Sequence, residues 1–278
     1  MLRTTWLAVA VLGGTALGDA SADATAATRW TLGILAWTWW GVAAVVLMVL
    51  GTLALTVFRV AITASLAVAI VATVVEPGAW TGSFLGVSAL GVLLVASPDI
   101  ATRSVQASAY GAEYRFTLRP PVAFVAPMVL AWIIAVGSWM SGPVLLAERH
   151  WIAGILLCLL AAVATPILGL SFHRFSRRWI VVVPAGLVVH DPVVMAETVL
   201  IRRHDIARVA LAPATTTARD LTGVTWGHAI EITMSGVVPM VPRPRSGQEP
   251  VMERPEAILV APSRPGAFLL AARQGRLV

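Results

Sequence analysis

A chain of 278 residues that is 58% hydrophobic and only 12% charged, with a mean hydropathy of +0.83, carries too little charge to face water over its whole surface. Soluble domains hold roughly 25% charged residues. Disorder is excluded by the same figures, a disulfide scaffold by the presence of one cysteine, Cys158, and the composition is that of an integral membrane protein.

All 20 basic residues are Arg, with no Lys and no Asn in the chain, which points to the coding bias of a GC-rich bacterial genome. Arg does not titrate in proteins, so the pI near 11.1 is not a nucleic-acid signature. Residues 1–172 hold seven Arg against six acids, and residues 173–278 hold thirteen against eight. The net charge of +6 is therefore concentrated in the last third.

In chain order, residues 1–28 admit two readings. Arg3, the apolar stretch Thr4–Gly18 and the small residues Ala20-Ser21-Ala22 form either a signal peptide with its cleavage site or a short first span of about 22 Å. Residues 29–172 form the transmembrane domain. A hydrocarbon core needs about 20 apolar residues, which predicts spans at Thr31–Phe58, Val60–Val75, Ala79–Ala96, Val122–Ala147 and Trp151–Phe172, five or six in all. Arg59 marks the turn between the first two. Charges are expected only at span ends, which argues against an ion-driven transporter. Gly82-x-x-x-Gly86 and Gly137-x-x-x-Ser141 are read as close intramolecular helix contacts rather than a dimer seam.

If the last third is cytoplasmic, Arg59, Arg103, Arg115, Arg119, Arg174, Arg177 and Arg178 fall inside, and Arg29 and Arg149 outside. Trp37, Trp39, Trp40, Trp80 and Trp151 are then expected at the outer interface.

The cytoplasmic loop 97–121 opens with Ser97-Pro98-Asp99, a helix start, with a stop at Gly111. Strict alternation over Glu113–Arg119 is strand periodicity. A lone strand is unstable, so it is expected to pair with the C-terminal domain, residues 173–278. There Trp179–Val183, a three-residue turn Pro184-Ala185-Gly186 and Leu187–His190 read as a hairpin. Thr198–Arg202, Ile206–Leu211, Ile230–Met234, Val237–Val241 and Ala257–Ala261 read as further strands, with a loop over Pro242–Glu256. Ser263 is expected to cap a final helix, Arg264–Gln274, ended by Gly275.

Arg178-Trp179-Ile180-Val181-Val182 with its Pro184-Ala185-Gly186 turn, Ile206-Ala207-Arg208-Val209 and Ala257–Arg273 resemble the bacterial pleckstrin-homology-like (PH-like) domains of membrane proteins of uncharacterised function. The resemblance covers the last third, has no invariant motif, and implies a binding or scaffolding module without catalytic residues.

No nucleophile elbow, phosphate loop or dinucleotide fingerprint occurs. His190-Asp191 and His204-Asp205, even with His173 or His228 as a third group, match no zinc spacing, so no cofactor and no metal centre are expected. Arg174, Arg177 and Arg178 directly follow the last span, with Arg202 and Arg203 further on. They are read as topology determinants that can also attract anionic headgroups, at about 1 kcal/mol each. The expected function is a non-enzymatic plasma-membrane adaptor whose partners are membrane lipids and a protein at the cytoplasmic domain, without nucleic acid. The alternatives are a small transport or export component, and an envelope-biosynthesis transferase using the outer turn Glu148-Arg149-His150.

Overall fold

The computed structural model describes residues 1–49, 51–244 and 249–277. They form two compact units, one of residues 1–100 with 128–170 and one of residues 101–127 with 171–278.

The first unit is helical. It contains α1 (Leu2–Ala20), α2 (Ala26–Val46), α3 (Thr52–Val75), α4 (Ala79–Ala96) and most of α6 (Val122–Ala147) and α7 (Trp151–Ser176). Four of these, α3, α4, α6 and α7, are long and apolar enough to cross a membrane. At 1.5 Å per residue they measure about 27 to 39 Å.

α1 is packed into this unit. Trp6 donates its indole N–H to the Trp40 carbonyl at 3.0 Å, and Trp40 returns the same bond to the Trp6 carbonyl at 2.8 Å. Arg3 donates to the Leu47 and Met48 carbonyls, where the end of α2 leaves acceptors unsatisfied. Gly13 faces Phe84, and a Cβ on Gly91 would strike Ile62 and touch Thr5. Glycine at those two places lets α1, α3 and α4 approach.

Several expectations fail here for physical reasons. Thr31–Phe58 is not one span: α2 ends at Val46, and α3 starts after Gly51 and runs straight through Arg59. An Arg about two turns inside a span need not end it, because its stem can lie along apolar surface while its head reaches toward the helix end. The spans are consequently not free of charge. α7 also continues past Phe172 to Ser176, with His173 and Arg174 in its last turn. Trp37, Trp39 and Trp40 lie past the midpoint of α2, toward the end where α1 begins. They do not share a helix end with Trp80 and Trp151, which sit in the first turns of α4 and α7. A Cβ added at Gly82, Gly86 or Gly137 would meet no neighbouring element within 4 Å among the described residues. The close contact between α6 and α7 is made elsewhere, by Gly142 against Cys158 and Gly154 against Leu146.

The second unit is mainly β. β1 (Tyr114–Thr117), β2 (Trp179–Val183), β3 (Gly186–His190) and β4 (Val199–Arg202) form an antiparallel sheet in that order. β5 (Ile206–Leu211), β7 (Ile230–Met234), β8 (Ala257–Val260) and the two-residue β6 (Arg219–Asp220) form a second sheet, β5-β7-β8-β6, in which β6 runs parallel to β8. α8 (Pro265–Gln274) completes the unit, with Phe268 edge-on to Phe116 at 5.5 Å. The alternating residues Phe116, Ile180, Leu187, Ile201, Ile230 and Ile232 share one buried core with Phe268.

The strand expected in the loop forms as β1 and pairs with β2, Arg115 opposite Val181 and Thr117 opposite Trp179. α5 (Pro98–Gln106) stops short of Gly111 because Gln106 turns back onto β1. Its amide donates to the Glu113 carbonyl and accepts from the Arg115 N–H, both at 2.8 Å. The β2–β3 turn holds two residues, not three. Gly186 opens β3 at φ +148, where a Cβ would strike the Ile201 carbonyl. Val237–Val241 does not form a strand: Pro239 lacks an N–H for a ladder, and Met240 bridges Glu253 instead. Within the expected loop Pro242–Glu256, residues 245–248 lie outside the described residues. Ser263 does not cap α8. Its hydroxyl meets that of Thr117 at 2.7 Å, fastening the start of the helix to β1.

Candidate functional site

The structurally richest place in the second unit surrounds Arg178, between α7 and β2. Arg178 and Asp191 are each 1% exposed and form a bidentate pair, Nε to Oδ1 at 2.8 Å and Nη2 to Oδ2 at 2.7 Å. Nη1 donates to the Arg119 carbonyl at 2.6 Å and Nη2 reaches the Thr222 carbonyl at 3.5 Å. Asp191 also accepts the Val193 and Val194 N–H groups. A buried charge pair is tolerated only when its remaining donors and acceptors are satisfied, as here. One side chain thus joins the segment leading into α6, the segment leaving α7, the end of β3 and the loop after β6. Phe124 and Phe175, 5.8 Å apart, bring the same ends of α6 and α7 together.

Arg178 is therefore a correction to the surface group read from the sequence. It is internal, and no headgroup reaches it in the folded chain. Arg174, Arg177, Arg202 and Arg203 are exposed; Arg203 also donates to the Pro184 carbonyl at 3.1 Å. The first two flank the end of α7, whereas the other two follow β4.

On the outer face of the first sheet, Trp179 is stacked on the His190 ring at 4.6 Å and lies under the Arg115 guanidinium at 5.8 Å. His190 Nδ1 meets the Thr198 hydroxyl at 2.7 Å, while its Nε2 and the Arg115 Nε are buried without a partner among the described residues. Burial pushes the His190 imidazole below the ordinary histidine pKa. The charge of Arg177 adds to this, Asp191 opposes it, and Arg115 lowers it further. The Asp191 carboxylate is taken up by Arg178 and the His190 Nδ1 by Thr198, rather than by each other.

The other candidates stay apart. His204 is exposed and lies 3.6 Å from the half-buried Asp205 in a 3-10 turn, and His228 is exposed. Among the described residues no three His, Cys, Asp or Glu groups are placed to hold a metal ion. Glu148, Arg149 and His150 are exposed at the α6–α7 tip. The helical unit contains an apolar cavity of about 90 Å³ beside Trp6, Trp37, Trp40 and Phe84, and its wall carries no ionisable group.

The chain matches no family model, no curated protein and no solved structure. Arg115 and Trp179 were missed in the sequence as parts of a site, and Asp191, weighed there only beside His190, is instead the partner of Arg178. The available signal was a strand pattern in the loop that had to find an edge, which puts Arg115 beside Trp179 once β1 is paired with β2.

Proposed function

We propose that the protein is a multi-pass plasma-membrane adaptor without enzymatic activity, carrying a cytoplasmic PH-like module that binds anionic lipid headgroups and, through them, positions a protein partner. The observation that carries this reading is the cationic, aromatic-backed surface at the end of α7. Arg174 and Arg177 are exposed there, and Arg177 acts by its charge on His190, which is stacked on Trp179 beneath Arg115. A span end lies at headgroup level, where each Arg contributes about 1 kcal/mol toward an anionic surface. Two sheets closed by a terminal helix support the PH-like reading, although the parallel β6 and a first strand supplied from before α6 depart from a simple meander.

Packing of α1 and α2 against α3 and α4 supports six crossing helices. Arg3, Arg59 and Arg103 then gather toward the cytoplasmic end, and Arg29 and Arg149 lie outside. β1 is remote in sequence from the rest of its sheet, so the test uses the full chain. In nanodiscs mixing zwitterionic and anionic lipid, native mass spectrometry should show anionic lipid retained by the protein and lost in Arg174→Ala/Arg177→Ala. Equal retention by both proteins would remove the headgroup reading.

A second reading, a transport component, draws on Arg59, a half-buried cation inside a helix able to cross the membrane. Arg59→Leu should then abolish flux of a charged solute in proteoliposomes, whereas an adaptor would show no flux in either form.

A further inference from the structure

Residues 221–227, Leu-Thr-Gly-Val-Thr-Trp-Gly, follow β6 as a tight loop whose conformation is costly. Gly223 (φ +68), Val224 (φ +61) and Gly227 (φ +75) all adopt left-handed backbone, and a β-branched residue such as Val224 is rarely found there. The surroundings account for it. The turn aims the Val224 carbonyl at the N–H of Val122, 2.9 Å away, and Val122 is the first residue of α6. Helix N-termini leave their first N–H groups unsatisfied, so the loop supplies a partner for the first turn of α6. The Thr225 hydroxyl donates to the Pro120 carbonyl at 3.3 Å, and the Arg119 guanidinium donates to the Trp226 carbonyl. Gly223 lies against Pro121 and Gly227 against Arg119, where a Cβ would be too close. Arg178 reaches the Thr222 carbonyl from inside. The loop is fastened along its length to the three residues that lead into α6.

Its side chains divide sharply. Leu221 and Thr222 are 3% and 5% exposed, but Val224 and Trp226 are 70% and 59% exposed. Two large apolar groups are thus held out from the module next to the first turn of a helix long and apolar enough to cross a membrane. α6 has 26 residues, about 39 Å, against a hydrocarbon core of about 30 Å. Its first turn therefore sits at the level of the headgroups when the helix crosses. Trp is enriched at that level, where an apolar ring and a polar N–H are both accommodated.

We infer that the 223–227 loop is a membrane anchor, with Val224 and Trp226 inserted into the headgroup–acyl boundary of the leaflet in which α6 begins. The occupant of this apolar surface is lipid because the loop is bonded to the first residue of a crossing helix. The anchor lies at the start of α6, to whose first residue the loop is bonded. It requires that α6 crosses the membrane, but it does not depend on headgroup binding by Arg174 and Arg177, whose loss would change lipid retention without changing loop depth.

The test uses the lone thiol, Cys158. In a Cys158→Ala background, Val224→Cys with Trp226 intact, Trp226→Cys, and Thr215→Cys in a neighbouring exposed loop each receive a nitroxide label in liposomes. Collision with membrane-soluble oxygen and with a water-soluble nickel chelate is then measured. The expected result is oxygen-dominated relaxation at positions 224 and 226 and nickel-dominated relaxation at 215. Nickel-dominated relaxation at 224, equal to that at 215, would overturn the anchor. Because Val224→Cys keeps the Trp, that outcome cannot be blamed on loss of the anchoring ring.

Discussion

The two units are held together by different means. In the helical unit the specific contacts are steric notches and indole bonds: Gly91 against Ile62 and Thr5, Gly13 against Phe84, and the reciprocal Trp6–Trp40 pair. Apolar helices in lipid gain little from burying apolar surface against each other, so close approach and a few hydrogen bonds must give them order. The β unit has a conventional apolar core, and its specificity is concentrated in one buried ion pair that ties four segments together. A helical unit of this kind is sensitive to added atoms, and the β unit to a missing charge.

The largest effect should come from separating Arg178 from Asp191. Arg178→Met leaves the Asp191 carboxylate buried and unpaired, which costs about 3–5 kcal/mol. The β unit should become protease-sensitive in nanodiscs while the helical unit stays protected. Arg178→Met/Asp191→Leu should recover part of the loss, and not all, because the Arg119 and Thr222 carbonyls still lose their donor. Protection unchanged in the single variant would show that the ion pair is not what orders the module.

Next in size is overpacking of the helical unit. Gly91→Val should cost about 1–3 kcal/mol through Ile62, read as a lower thermal midpoint in detergent. Gly82→Val on the same helix, where an added Cβ meets no neighbouring element within 4 Å among the described residues, should change the midpoint little. A similar loss from both would mean that α4 uses its other face.

Trp6→Phe removes one of the two indole bonds and should cost about 1 kcal/mol, less than Gly91→Val. The cost should fall on the helical unit alone.

The smallest effect concerns pH. His190 in the folded chain holds its proton less tightly than an unfolded histidine, whose pKa is about 6.5, because of burial first and then Arg177. Stability of the β unit should therefore be full above that value and decline as pH falls below it toward the lowered folded value. His190→Gln should flatten this decline, measured by proteolysis midpoints across the range. An unchanged slope would place the acid sensitivity elsewhere.

Much of the fold was legible because periodicity is a local signal. The alternation over Glu113–Arg119 located β1, and the alternating Ile230, Ile232 and Met234 located β7. The errors came where a residue has two meanings. Arg59 looked like a boundary because charge usually ends a span, yet the break is at Gly51. Arg178 looked like Arg177, since nothing local separates a surface Arg from one aimed at Asp191, thirteen residues away across a hairpin. The small-residue pairs on α4 and α6 fit a packing motif, but which face of a helix meets a neighbour depends on the whole bundle. The 223–227 loop carries Gly and Thr signals of a turn, but its bond to Val122 joins residues about a hundred positions apart.

The most direct test of the account is sidedness. Single cysteines at Gly78, His150, Ser108 and Thr215, placed in the Cys158→Ala chain, are exposed to a membrane-impermeant maleimide in intact cells. Labelling is expected at 78 and 150, and protection at 108 and 215 until the membrane is opened. Labelling at 215 from outside would put the β unit on the other face and contradict both the orientation and the adaptor reading.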